Sequence, residues 1–98
     1  MMLEIDRVYT FKMNSGEEIM GKHLGKLDNA YKIDSPLSTA PTQQGLQLVP
    51  ALFTSELNTI IKLFEHSIAI IGEPRTDVAD AYRQSTTGIE VPKKQIII

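Results

Sequence analysis

The sequence predicts a mostly β domain: a small, strongly bent antiparallel barrel with one C-terminal helix and an inserted hairpin arm. Three observations predict it. Apolar residues alternate along Arg7 to Met13, with Tyr9, Phe11 and Met13 on one face and Thr10 and Lys12 on the other. The turn signal Asn14-Ser15-Gly16-Glu17 separates this run from a second one, as in a hairpin. Gly21 and Gly25 then sit inside the second run rather than at its ends. Glycine within a strand marks a sharp bend or a close backbone approach, so this strand is expected to curl.

Each element follows in order. Glu18 to Leu27 is the bent second strand, Asp28-Asn29 the next turn, and Ala30 to Asp34 a third strand. Tight turns make these antiparallel neighbours. Ser35 to Gly45 reads as turn-rich because of Pro36, Pro41 and Gly45. Leu46 to Phe53 reads as extended but is interrupted by Pro50, which suits an edge or a bulge. Residues 36–54 therefore form the expected hairpin arm. Thr59 to Phe64 is β-rich, and Ser67 to Ile71 is a short apolar run of the fully buried kind. After Gly72, Glu73-Pro74 opens a helix over about 74–84, because proline suits the first helical turn. Val78, Ala81 and Tyr82 have the spacing of one helical face, and Gly88 is its expected stop. The tail 89–98 carries Lys93-Lys94 and ends in Ile96-Ile97-Ile98, an apolar stretch expected to pack as a strand or plug on its own or a neighbouring subunit.

Composition narrows the function classes. A chain of 98 residues makes one domain, here 1–98, with barrel strands over about 6–72. No segment approaches the length of a membrane span, and Met1 to Asp6 lacks the basic start and apolar region of a signal peptide. The absence of cysteine excludes disulfides and thiolate metal sites, as expected in a reducing cytoplasm. The formal net charge is −2, whereas a general nucleic-acid binder carries a positive excess. Any such binding must come from a local patch multiplied by oligomerisation.

Enzyme chemistry finds no support. Glu17-Glu18 lies at a turn, where adjacent side chains diverge. His23 and His66 have no ligand-spaced partners for a metal, and Ser67 beside His66 is not a triad. None of the glycines stands between a strand and a helix in a phosphate-binding loop. No cofactor is expected. Lys22, Lys26 and Lys32 cluster near one end of the second and third strands, either as a basic rim or as a solvated face. His23 is expected at the surface or at an interface.

Met13, Gly16, Gly21, Leu24, Leu27 and Asp28 fall into the places of the first motif of the Sm-like family, which comprises Sm, LSm and bacterial Hfq proteins. A second patch, Phe64-Glu65-His66-Ser67-Ile68-Ala69-Ile70-Ile71, resembles the aromatic-Lys-His-Ala-Ile motif of the Hfq branch. The two patches cover roughly a quarter of the chain. The resemblance implies a bent barrel that assembles into an RNA-binding ring, the fourth strand of one subunit pairing with the fifth of the next. It also resembles the small Sm-like proteins carried by bacteriophages, which implies the cytoplasm of a host cell.

The resemblance assigns site residues as well. Asp28, Asn29, Tyr31 and Lys32 correspond to the loop that holds a base, with Asp28 orienting it and Tyr31 offering a stacking face. His66 corresponds to the histidine lining the pore, and Gly72 to the end of the second motif. Three positions depart from the family: Lys32 replaces an edge-reading Asn, Ile71 a base-bracing Arg, and Glu65 a phosphate-binding Lys. The implied function is a homo-oligomeric ring that binds single-stranded RNA, or DNA, weakly and with little base preference. The same departures favour an alternative, a structural or adaptor ring that binds protein and has lost the RNA pocket. A monomeric SH3-like interaction module is the third reading.

Overall fold

The computed structural model describes residues 2–86, so the expected helix stop at Gly88, the Lys93-Lys94 pair and the terminal isoleucines lie outside the described residues. The described chain is mostly strand. β1 spans Val8–Met13, β2 Glu18–Leu27, β3 Ala30–Thr42, β4 Gly45–Pro50, β5 Ile60–Phe64 and β6 Ile68–Gly72. A single 3-10 turn, Glu65–Ser67, joins the last two strands, and α1 runs over Thr76–Thr86. No described helix is long and apolar enough to cross a membrane.

All six strands belong to one antiparallel sheet in the order β4-β3-β2-β1-β6, with β5 also pairing with β3. β2 takes one edge of β3. β5 pairs with Ala30 to Asp34 and β4 with Leu37 to Thr42, so these two share the opposite edge end to end. The expected hairpin arm is β3–β4, turning between Thr42 and Gly45.

Alternation sorts the side chains to two faces. Tyr9, Phe11, Ile19, Ile33 and Leu63 form the main core, with Phe11 and Ile33 fully buried. Val8, Met20, Leu37 and Leu48 face the other way and pack beneath Tyr82 of α1. We refer to these as the core face and the helix face. Gly21, opposite Tyr9 on the core face, is glycine for a steric reason: a Cβ there would overlap Ile33 Cγ2 and come 3.2 Å from the Asp34 carbonyl oxygen. Gly25 sits at φ +148°, beside a register shift of β2 against β3. Both glycines thus mark the irregular places that their positions inside a strand foretell.

Four expectations need correction. The third strand does not end at Asp34: it continues to Thr42 through a β-bulge, because Ser35 takes φ +55° and the pairing skips from Leu37 to Asp34 while β2 advances from Met20 to Lys22. Ser35-Pro36 is thus a kink within a strand. Second, Ser67 to Ile71 is not fully buried, since Ile70 is 62% exposed on the helix face. Third, α1 buries Ala79 and Tyr82, with Val78 packed beside them, whereas Ala81 faces solvent. Fourth, His23 is 3% exposed, buried on the core face against Tyr9 and Tyr31.

Candidate nucleic-acid interface

Asp28 and Asn29 form the two-residue turn between Leu27 and Ala30, with Asp28 at φ +55°. Asp tolerates this left-handed region better than most residues. The turn is tied to the end of β5, where the Glu65 N–H donates to the Asn29 carbonyl at 2.7 Å. The β1–β2 turn is tied to the 3-10 turn that follows β5. Asn14 donates through its backbone N–H to the Ser67 carbonyl at 2.8 Å and through Nδ2 to the His66 carbonyl at 2.8 Å. The two turns leave opposite ends of β2, and the 3-10 turn Glu65–Ser67 touches both, which places Asp28 and Asn29 close to His66.

Tyr31 and Lys32 follow the Asp28-Asn29 turn directly but point to opposite faces of β3, and Gly72 lies elsewhere. Tyr31 is half-buried on the core face, with its ring 6.0 Å from Phe11 and 5.7 Å from His23, so its ring is engaged within the sheet rather than standing clear at the turn. Lys32 points to the helix face and is exposed. Gly72 pairs with Thr10, whereas Ile68, just after the 3-10 turn, pairs with Met13. It therefore lies at the far end of β6 from His66. There it lines a groove of about 490 Å³ beside the start of α1, together with Leu46, Ile70 and Val78.

Charge beside the 3-10 turn is already balanced in part. Glu65, which stands where the Hfq-like motif has lysine, pairs with Lys26 at 3.3 Å. Lys26 Nζ also lies 5.7 Å from the Tyr31 ring centroid, within cation–π range. Lys26 is thus committed there, and the expected cluster of Lys22, Lys26 and Lys32 divides between the two faces. Beside it, Phe64 is 47% exposed and its ring lies 6.3 Å from that of His66.

Sequence reasoning missed Lys62 and named Phe64 only as the aromatic of the second motif, not as a site residue. Lys62 stands directly opposite Lys32, and Phe64 opposite Ala30. The alternation of Ile61 and Leu63 toward the core already turns Lys62 outward, but only the strand pairing places it against Lys32. No protein-family model matches the chain, and no curated protein matches it significantly.

Proposed function

We propose that this chain is the subunit of a Sm-like homo-oligomeric ring that binds single-stranded nucleic acid, RNA in the first place, with little base preference. The observation that carries the reading is the hydrogen bond from Glu65 N–H to the Asn29 carbonyl, which joins the end of the first motif patch to the second. In this reading the sheet bends into a barrel at Gly21 and Gly25, and Asp28, Asn29 and His66 line one opening of the ring.

The strand order supports assembly. β5 and β6 are consecutive, yet they pair with β3 and β1, and each has a second edge unpaired among the described residues. Ile60 on β5 and Ile70 on β6 are 58% and 62% exposed on the same face. Joining β5 of one subunit to β6 of the next continues the sheet and covers both isoleucines. A ring repeats each weak interaction once per subunit, which offsets the net charge of −2 by effective concentration.

Light-scattering mass, with and without a single-stranded RNA, tests the proposal. We expect a closed oligomer of roughly five to seven subunits that gains the mass of bound RNA at low salt. A monomer refutes assembly, and an oligomer that retains no RNA or DNA refutes the nucleic-acid reading. The Lys26–Glu65 pair favours the second reading, a protein-binding adaptor ring, because it fills a position of phosphate attraction with a neutralised carboxylate.

A further inference from the structure

The eight lysines and arginines among the described residues divide into two groups. Arg7, Lys12, Lys26, Arg75 and Arg83 each have a carboxylate oxygen between 2.9 and 3.8 Å away. Lys22, Lys32 and Lys62 have no such partner among the described residues. These three are neighbours. Lys32 stands directly opposite Lys62, and Lys22 stands opposite Asp34, one same-face step along β3 from Lys32.

All three point to the helix face: Lys32 and Lys62 lie on its open part, and Lys22 lies at the margin of α1, in a cleft with Glu4, Asp6, Tyr82 and Thr86. Lys22 shares its row with Val8, and Lys32 and Lys62 alternate with the core residues Ile33 and Leu63. Lys32 and Lys62 are exposed and Lys22 is half-buried. Like charges directly opposite each other across antiparallel strands destabilise the pairing. Asp34 is the only acid that the register puts among them, and its Oδ1 accepts a hydrogen bond from Ser35 Oγ at 3.2 Å. In a chain of net charge −2, the unneutralised positive charge of the described residues is thus concentrated in one strip. The outward row of β5 continues from Lys62 to Phe64, whose exposed ring stands beside His66.

We infer that Lys22, Lys32 and Lys62 form a phosphate-binding track for single-stranded nucleic acid, running across the open part of the helix face to the margin of α1. The Phe64–His66 pair lies at its end and offers aromatic faces to unstacked bases. This rests on the proposed nucleic-acid reading, but it moves the principal binding surface from the turns to the face of the sheet. A lysine meets a phosphate as a point charge and reads no base edge, so the track predicts affinity without sequence preference.

Fluorescence anisotropy of a labelled single-stranded RNA on the full chain, across a salt series, tests the track. The double variant Lys32→Gln/Lys62→Gln should bind at least about 10-fold more weakly at low salt. Its log–log salt slope should shrink by about 0.7 for each phosphate that is no longer neutralised. Removing the same charge from two paired cations, Lys12→Gln/Arg75→Gln, should leave affinity within about twofold. Phe64→Ala should weaken binding with an unchanged slope. Lys62→Glu separates function from folding: it replaces a like-charge pair with an opposite one, so Tm should rise while binding falls. The track is overturned, with the nucleic-acid reading intact, if wild type binds and Lys32→Gln/Lys62→Gln matches it in affinity and slope. It is also overturned if the Lys12→Gln/Arg75→Gln control loses as much affinity. No binding by wild type at low salt overturns the nucleic-acid reading itself, and the track with it.

Discussion

The helix face has two halves built from the same strands. In one, Val8, Met20, Leu37 and Leu48 lie beneath Tyr82. In the other, Lys32 and Lys62 stand in the open with Ile60 beside them, and Lys22 lies half-buried at the margin. The boundary between them is the bulge at Ser35. Before it, Tyr31 and Ile33 point to the core face, leaving Lys32 and Asp34 for the helix face. One residue of slip reverses the facing of everything that follows, so Leu37 turns toward the helix. A single strand thus supplies two hydrophobic clusters, and the bulge decides where the helix packs and where the sheet stays bare.

The two faces differ in what they contribute to stability, and the largest expected effect tests that difference. Phe11 is fully buried at the centre of the core face. Phe11→Ala should cost about 3–5 kcal/mol, measured by urea unfolding. Leu48→Ala, at the margin of the helix-side cluster with 8% exposure, should cost less. Equal losses would make the helix-side cluster an equal partner in the fold.

Next comes the close approach of β2 and β3 at Gly21. Its Cα hydrogen occupies the space where a Cβ would overlap Ile33 Cγ2, and Ile33 is itself fully buried. Gly21→Val should therefore destabilise by about 1–3 kcal/mol through overpacking. An unchanged melting temperature would show that β2 and β3 separate there at no cost.

The bulge itself is held by one side chain. Tyr82 Oη lies 2.9 Å from the carbonyl oxygens of both Asp34 and Ser35, so its hydroxyl proton is shared between two groups at the kink. Burial, with the nearby Asp34 charge, pushes the Tyr82 hydroxyl well above its usual range and keeps it a donor. Tyr82→Phe keeps the ring and removes the donor, and should cost about 1–2 kcal/mol. A larger loss from Tyr82→Phe than from Gly21→Val would make this hydrogen bond, rather than the close approach of β2 and β3, the stronger hold on the sheet.

The strands of the core face were legible in the sequence because each carries a plain period of two, as in Tyr9, Phe11 and Met13. Gly21 was legible because a glycine inside such a run has few other uses. The Ser35 bulge was not. Ser-Pro after an apolar run has the signature of a turn, and only the pairing of Leu37 with Met20 shows that the strand continues. Ala81 was misplaced on the helix because its spacing to Val78 fits as well as the spacing that buries Ala79 and Tyr82. In the candidate site, Asp28 and Asn29 were legible as a turn, and the structure adds its bond to Glu65. The half-buried place of Tyr31 follows from its alternation with Lys32 and Asp34, whereas the pairing of Lys62 with Lys32 joins residues distant in sequence, and no local pattern encodes it.

The smallest expected effect concerns His23, which contrasts with the lysine beside it. Lys22 points to the helix face, and one residue later His23 is buried against Tyr9 and Tyr31. Its Nδ1 has no hydrogen-bond partner among the described residues, and burial lowers its pKa below the ordinary histidine value. The unfolded chain takes up this proton near pH 6.5, the folded chain only at lower pH. Between those two values the unfolded state binds more protons, so stability is full above about pH 6.5 and declines as the pH falls below it. His23→Phe keeps an aromatic ring against both tyrosines and removes the titrating group. Unfolding midpoints in urea at pH 7.5 and pH 5 should therefore lie closer together in His23→Phe than in wild type. If the two proteins lose the same stability on acidification, the burial of His23 is not the source of the pH dependence, and the contrast with Lys22 carries no energetic weight.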